Sequence, residues 1–594
     1  MKKLPLGALS FARIIDRNLL YADKTRDIYE LVKSETRSFF LSRPRRFGKT
    51  LLLSALEELF TGHRERFQGL WIDGSDYDFP RVPVLKLSLS LESGSPEIFQ
   101  AKLINRLKGI AKDAKLGQEI KEDTPAAYFE ALIKALSEEA NSEIAVLIDE
   151  YDAPVTRNLD NQEIATANAK ILHDFFATLK EDKVASCVNF TLVTGITRHA
   201  LTSMDSGPNH LKDISLNPKF AGLCGFTLEE FDYLFADRLE TTLASLKNSS
   251  QKYSSLTVEG LRKQIFRWYD GYNWGGQTRV LNPFSILNFF DDQKFGAYWV
   301  RSGRPAHLTA LIKKKPLAFA TPTLKTYLVD DVLKSAPELD ELEAGPILFH
   351  SGYLTVDKIM EVVVDDDDDQ EPSYEEAYSF RLPNLEVKNS YYRNCFNLIF
   401  GPVSKEDLNA EKEKLIQAFL SRDAQEVRAI LRAYFTRGTY FQKPNRENDF
   451  HAYLQLLFQF YKFKVQSELP GSKGRLDLSV ELPGQVVLVI ELKYRPNPKK
   501  TLTPKENESL ASLAYGLLPK DEIFESLANL ASKKLKAKQK NKILFEIDQE
   551  GLTIAKQNRL FVQAAQEWLS EADINKTLAS LVLEKLPPEI IKKE

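Results

Sequence analysis

One run constrains this chain more than any other. Phe39-Phe40-Leu41-Ser42-Arg43-Pro44-Arg45-Arg46-Phe47-Gly48-Lys49-Thr50 is followed at once by apolar residues at helical spacing, Leu52, Leu56, Leu59 and Phe60. An apolar strand passes into a basic loop, and a helix starts at Gly48-Lys49-Thr50. This is the layout of a loop that cradles phosphates, because backbone N–H groups and the positive end of a helix dipole face one point. Lys49 would neutralise the outer phosphates of a nucleotide, and the Thr50 hydroxyl would ligate Mg²⁺. The general pattern G-x-x-x-x-G-K-[ST] has glycine where this chain has Arg43. The motif alone therefore does not decide the site.

At 594 residues the chain is too long for one core, so two to four domains are expected. With 43% hydrophobic and 27% charged residues its composition is that of a soluble globular protein. A net charge of -3 excludes a global basic field, so any nucleic-acid surface must be local. Cys187, Cys224 and Cys395 are scattered without metal-ligand spacing and suit a reducing cytosol. The N-terminus lacks a secretory h-region, and no apolar run reaches the roughly 18 residues of a membrane span. A cytoplasmic protein without a membrane partner is expected. The acidic run at residues 365–372 repels itself and is the clearest candidate for disorder.

Residues 1–235 form the first expected domain. Asp23 is placed to cap a helix over residues 26–33, residues 82–89 read as a strand, and residues 96–140 as one long helical stretch. Ile144-Ala145-Val146-Leu147-Ile148 is a continuous apolar run ending in Asp149-Glu150, the signature of a buried parallel strand. Asp149 at such a strand end reaches Mg²⁺, and Glu150 can polarise an attacking water. Together with Gly48-Lys49-Thr50 this makes a site for ATP and Mg²⁺. A third strand, residues 189–198, ends in Thr194, Thr197 and Arg198, which are candidates to sense the γ-phosphate or simply to cap the strand. The alternation of strands and helices predicts a mostly parallel sheet covered on both faces.

Leu6-Gly7 with Phe11, Tyr21-Ala22-Asp23-Lys24-Thr25 and the run from Phe40 to Thr50 resemble the AAA-ATPase-like family of prokaryotic proteins. That family usually also carries a C-terminal PD-(D/E)XK nuclease-like domain. The resemblance makes Arg43 a family trait. Pro44 would stiffen the turn that glycine otherwise permits. Arg45 and Arg46 would add charge beside the phosphates, or else face solvent or acidic partners. With Phe47, Gly48, Lys49, Thr50, Asp149 and Arg198 they complete the expected nucleotide-binding set. Trp268–Gly276, Val280–Leu287 and Tyr298–Gly303 also match the family, which implies a helical lid. Their interleaved aromatics and glycines could stack bases, but a packed set of turns is the favoured reading. Thr227 with Glu230 reads as a capping box. Residues 346–356 read as a helix end, a glycine turn and a strand, with residues 378–382 as its hairpin partner, and His350 reads as structural. Pro383-Asn384-Leu385-Glu386-Val387 resembles the family's connection to the nuclease-like domain. Lid and linker together span residues 236–400.

Residues 401–594 form the last expected domain. Helices are predicted over residues 404–435 and 446–462, then strands at 464–469, 475–481 and 486–494. A hairpin closing over residues 482–486 places Asp477 beside Glu491, and the two-residue period puts Lys493 on the same face as Glu491. Burying such charges costs several kcal/mol unless partners or a metal compensate, and a buried salt bridge of Glu491 with Lys493 is the alternative. Asp477 and Glu491 would then hold Mg²⁺ or Mn²⁺, with Lys493 orienting the attacking water. This is the D…(D/E)-x-K constellation, and Gly474–Asp477 and Ile490–Lys493 resemble the nuclease-like family. Glu447, at a helix start, matches an acidic position such nucleases use, and has an equal claim as a surface residue. Two departures stand out. A Pro- and Lys-rich insertion occupies residues 494–508, and no glutamine marks residues 524–530. The basic run at 533–542 is the best candidate for phosphate-backbone contact, with a solvated helix end as the alternative. Residues 543–547 read as the final strand.

The expected fold is α/β: a P-loop NTPase parallel-sheet domain with a helical lid, followed by a restriction-endonuclease-like αβββαβ domain. The expected function is ATP binding and hydrolysis coupled to a Mg²⁺- or Mn²⁺-dependent nuclease acting on nucleic acid, DNA foremost. The alternative is a nucleotide-switched nucleic-acid- or protein-binding protein whose nuclease-like domain does not cut. The sequence also allows a homo-oligomer.

Overall fold

The structure is a computed structural model. It describes residues 1–8, 10–90, 94–116, 120–158, 161–197, 210–301, 326–328, 344–365, 373–437, 447–471, 474–483, 486–491 and 544–548. The described residues divide into two compact units, one up to Ser390 and one from Tyr391 onward.

The first unit is built on a five-stranded parallel sheet of β1 (Ser38–Ser42), β2 (Val84–Ser88), β3 (Ile144–Asp149), β4 (Val188–Gly195) and β5 (Lys212–Asp213), in the order β2-β3-β4-β1-β5. Every residue of β3 is buried, as a parallel strand covered on both faces requires. Phe129, Phe175 and Phe176 lie in one core with its Val146 and Ile148. β4 lies between β1 and β3, pairing Leu41 with Thr194 and Ile148 with Val193. The carboxyl ends of β1, β4 and β3 thus bring the phosphate loop, Thr194 and Asp149 together.

Two helix boundaries differ from expectation. The stretch at residues 96–140 is two helices, Pro96–Asp113 and Pro125–Ala140. Thr124 caps the second, accepting from the Ala127 N–H, and Pro125 stands at its first position, which is the ordinary signal for a new start. The early helix runs Thr25–Val32 with Lys24 at the cap position. Asp23 still serves it, accepting from the Thr25 N–H at 2.9 Å and the Thr25 hydroxyl at 2.6 Å. The capping box at Thr227 and Glu230 forms as read.

The helices Leu228–Ser249, Val258–Tyr269 and Pro283–Asp292 share a second core of Phe231, Phe235, Ile265, Ile286 and Phe289. β6 (Phe226–Thr227), β7 (Tyr272–Asn273) and β8 (Arg279–Leu281) form a small sheet against it. β9 (Thr326–Leu328), β10 (Thr355–Asp365) and β11 (Ser373–Arg381) form another, in which Thr355 pairs with Arg381. Residues 366–372 of the acidic run lie outside the described residues. His350 is buried, with Nδ1 3.4 Å from Ser42 Oγ, in keeping with a structural role. The helix Leu385–Ile399 closes this unit and continues past Ser390.

The second unit contains the helices Lys405–Leu420, Ala424–Arg437 and Glu447–Phe460, followed by β12 (Lys464–Gly471), β13 (Gly474–Leu482), β14 (Val486–Glu491) and β15 (Leu544–Asp548). The sheet order is β12-β13-β14-β15 with every neighbouring pair antiparallel. The hairpin register pairs Leu482 with Val486 and Leu478 with Ile490. Among the described residues no helix is long and apolar enough to cross a membrane.

Candidate functional site

β1 ends at Ser42, and the chain turns through Arg43–Gly48 into the helix Lys49–Phe60. The left-handed backbone that the turn needs occurs at Arg46 (φ 68°) and Gly48 (φ 104°). Position 43 has no such requirement, so the glycine of the general pattern is dispensable there. Arg43 has a different task. It is 1% exposed, and its guanidinium donates to the carbonyls of Ser42 (2.9 Å), Ser215 (2.7 Å) and Phe220 (3.2 Å) while lying 4.7 Å from the Trp274 ring centre. Burial lowers its pKa to about 10, which leaves it charged at neutral pH.

The rest of the loop is held one residue at a time. Pro44 packs under Gly352, where an added Cβ would stand 2.6 Å from Pro44 Cβ. The Arg45 carbonyl accepts from the Trp299 indole N–H at 2.9 Å. The Arg46 guanidinium lies 5.2 Å from the Phe284 ring centre. Phe47 is buried edge-on to Tyr272 and Trp274 at 4.7 and 5.6 Å. Tyr272 and Trp274 are themselves buried, so they act by packing and not as base-stacking surfaces.

Lys49 is 7% exposed, and its ammonium donates to the Arg43 and Pro44 carbonyls at 2.7 and 3.2 Å. Burial lowers its pKa, while Asp149 and Asp152 act the other way. A buried ammonium held by neutral carbonyls favours a nearby anion. Thr50 Oγ1 donates to Asp149 Oδ2 at 2.6 Å, and Thr194 Oγ1 to Asp149 Oδ1 at 2.8 Å. The hydroxyl and carboxylate oxygens of Thr50 and Asp149 suit Mg²⁺, which keeps several waters and takes its remaining ligands from phosphates. Nucleotide and Mg²⁺ thus fit the residues present.

Glu150 follows with a left-handed backbone (φ 51°), and its carboxylate lies 3.6 Å from Arg157. Sequence reasoning gave Asp152 and Arg157 no role. Asp152 is 1% exposed and accepts from the N–H groups of Ile196 and Thr197 and from the Thr197 hydroxyl. That draws Thr197 toward Asp152. Arg198 lies outside the described residues. Arg45, Arg46, Phe47, Gly48, Lys49, Thr50, Asp149, Glu150 and Arg157 all line one cleft of about 470 Å³, whose apolar wall includes Ile14, Leu20, Tyr21, Phe226 and Leu287.

In the second unit, Asp477 and Glu491 are each one residue beyond the Leu478–Ile490 pair, the last pair of β13 with β14. The Asp477 carbonyl accepts from His451 Nε2 at 2.8 Å. His451 stands one turn after Glu447 on the helix Glu447–Phe460, a position sequence reasoning passed over. The side chains of Glu447 and Glu491 lie outside the described residues, as do Lys493, the insertion at 494–508, residues 524–530 and the basic run at 533–542.

A family model described as "Predicted AAA-ATPase" matches residues 5–205, which include the phosphate loop, Asp149 and Thr194. A protein of Azotobacter chroococcum mcd 1, described as an uncharacterized protein in the vnfD 5' region, is 31% identical over 507 residues, 83% of this chain and 90% of that protein. This chain belongs to the AAA-ATPase-like family. Membership implies nucleotide binding, and Arg45, Arg46, Phe47, Gly48, Lys49, Thr50 and Asp149 of the expected set line the cleft of this AAA-ATPase-like protein. No solved structure matches the chain significantly.

Proposed function

We propose that the protein binds ATP with Mg²⁺ in this cleft and hydrolyses it. The observation that carries the reading is the buried Lys49 ammonium beside the Thr50–Asp149–Thr194 cluster. Lys49 would neutralise the outer phosphates, and the backbone N–H groups at the start of the helix Lys49–Phe60 would hold them. Thr50 and Asp149 would hold Mg²⁺, which when bound supplies charge neutralisation on the phosphate oxygens. Thr194 orients Asp149. Glu150, free to exchange its half-exposed Arg157 partner for water, would polarise the nucleophile. The test is ATP hydrolysis with Mg²⁺ by the wild type, Lys49→Ala and Glu150→Gln. Lys49→Ala should abolish both binding and turnover. Glu150→Gln should keep binding and lose about 100-fold in rate, the usual scale for a general base. Equal turnover by the wild type and both variants would rule the reading out.

The second unit, on this proposal, is a Mg²⁺- or Mn²⁺-dependent nuclease acting on DNA, with Asp477 and Glu491 as metal ligands and Lys493 beside the attacking water. The antiparallel pairing of β13 and β14 supports it, since Asp477 and Glu491 are each the next residue beyond the Leu478–Ile490 pair. Plasmid and single-stranded DNA should be cut by the wild type and not by Lys493→Ala. If the two behave alike, and Mn²⁺ affinity does not depend on Asp477 and Glu491, the second unit is a binding module controlled by nucleotide.

A further inference from the structure

Three segments that the nucleotide reading leaves without a task meet at one buried carboxyl group. Glu386, in the run Pro383–Val387, is 1% exposed in the first turn of the helix Leu385–Ile399. Its Oε2 accepts from the Ser285 hydroxyl at 2.6 Å, and its Oε1 from the Trp299 backbone N–H at 2.6 Å. The backbone N–H groups of Tyr298 and Val300 also serve it.

Both partners lead to the phosphate loop. The Trp299 indole N–H is the one that holds the Arg45 carbonyl. Ser285 follows Phe284, whose ring lies beside the Arg46 guanidinium, and Pro283, Phe284 and Leu287 line the cleft. An apolar side chain would pack in this place without the cost of desolvating a carboxyl group. The hydrogen bonds Glu386 makes are therefore the reason to have it there.

We propose that Glu386 is a positioning residue of the nucleotide site: through Trp299 and Ser285 it fixes Arg45 and Arg46, and so ties the loop to the start of the helix Leu385–Ile399. The inference rests on the nucleotide reading above. It also predicts a pH signature. Burial pushes the Glu386 carboxyl up to about 7. Among the described residues, the titratable groups facing it are the phenols of Tyr269, Tyr272 and Tyr298, all pushed up by burial and neutral at pH 7. Glu386 is thus the group here that changes charge near neutrality. As a carboxylate it accepts charge-assisted bonds, roughly twice as strong as neutral ones, so it holds Trp299 and Ser285 more firmly above pH 7 than below.

The experiment is calorimetric titration of the full chain with the β,γ-imido analogue of ATP and Mg²⁺, at pH 6 and pH 8. Trp299→Phe deletes the indole N–H but keeps a ring against Tyr353 (5.3 Å in the native pair), so it tests the link without opening the core. It should weaken binding about tenfold, and Glu386→Ala at least as much. The double variant should be no weaker than the worse single one, because both act through one path. Glu386→Gln should restore most of the affinity lost in Glu386→Ala. It should lack the tightening, about fivefold relative to this variant, that the wild type shows as pH rises through 7. Wild-type binding with Trp299→Phe unchanged, additive losses, or the same pH profile in Glu386→Gln would overturn the proposal and leave the nucleotide reading standing. A wild type that binds no more of the analogue than Lys49→Ala does would overturn both.

Discussion

Arg43 stands where the general phosphate-loop pattern has glycine, and its side chain explains the exchange. Its guanidinium ties the end of β1 to Ser215 and Phe220, which are 172 and 177 residues away in the chain. Arg43→Gly would restore the general pattern and remove this support. It should lower unfolding free energy by about 3 kcal/mol, because three buried carbonyls lose their donor. Denaturant unfolding checks this, and a variant as stable as the wild type would show that the guanidinium contributes nothing. The motif itself was legible in the sequence: Gly48, Lys49, Thr50 and Asp149 stand where their spacing placed them. The role of Arg43 was not legible, since nothing local marks an arginine whose partners come from distant segments. Asp152 was missed for the same reason. Its value lies in accepting two N–H groups just past the end of β4, and an aspartate in a turn looks alike whether it faces metal, water or backbone.

At the level of elements, the apolar runs of β1, β3 and β4 and the capping signal at Thr227 were readable, because burial and caps leave local periodicity and composition. The break between Pro96–Asp113 and Pro125–Ala140 was passed over although Thr124-Pro125 marks it. The turn joining the helix Ala344–His350 to β10 shows a further dependence. Gly352 sits there at φ +83° with Pro44 directly against it. Gly352→Ala meets both a backbone conformation that L-residues disfavour and a collision with the loop. It should cost about 2 kcal/mol of stability, combining left-handed strain with the displacement of Pro44. It should also raise the nucleotide dissociation constant. Thermal unfolding and equilibrium binding on one preparation would separate the two effects, and a stability loss with unaltered binding would mean Pro44 moves without disturbing the site.

At the scale of the whole molecule, the phosphate loop depends on residues far outside the sheet domain that the sequence suggests. Trp274, Phe284, Trp299 and Gly352 each contact the loop, and Glu386 holds Trp299 and Ser285, the residue after Phe284. A fragment of residues 1–235 keeps Lys49, Thr50 and Asp149 but none of these supports. It should fail to bind nucleotide, whereas a fragment of residues 1–400 should bind it. Binding by the shorter fragment would show that the loop holds its shape alone. The register of β13 on β14 from Leu482–Val486 to Leu478–Ile490 was legible from strand arithmetic, because a hairpin's closing turn fixes the pairs that follow it.

The same dependence orders events during synthesis. Translation runs at about 5–20 residues per second, so the loop emerges from the ribosome on the order of tens of seconds before Gly352 and Glu386 exist. For that interval the nascent chain carries the residues proposed to contact nucleotide without the side chains that shape their loop. On the proposed reading, nucleotide capture would wait until well over half of the polypeptide has been made.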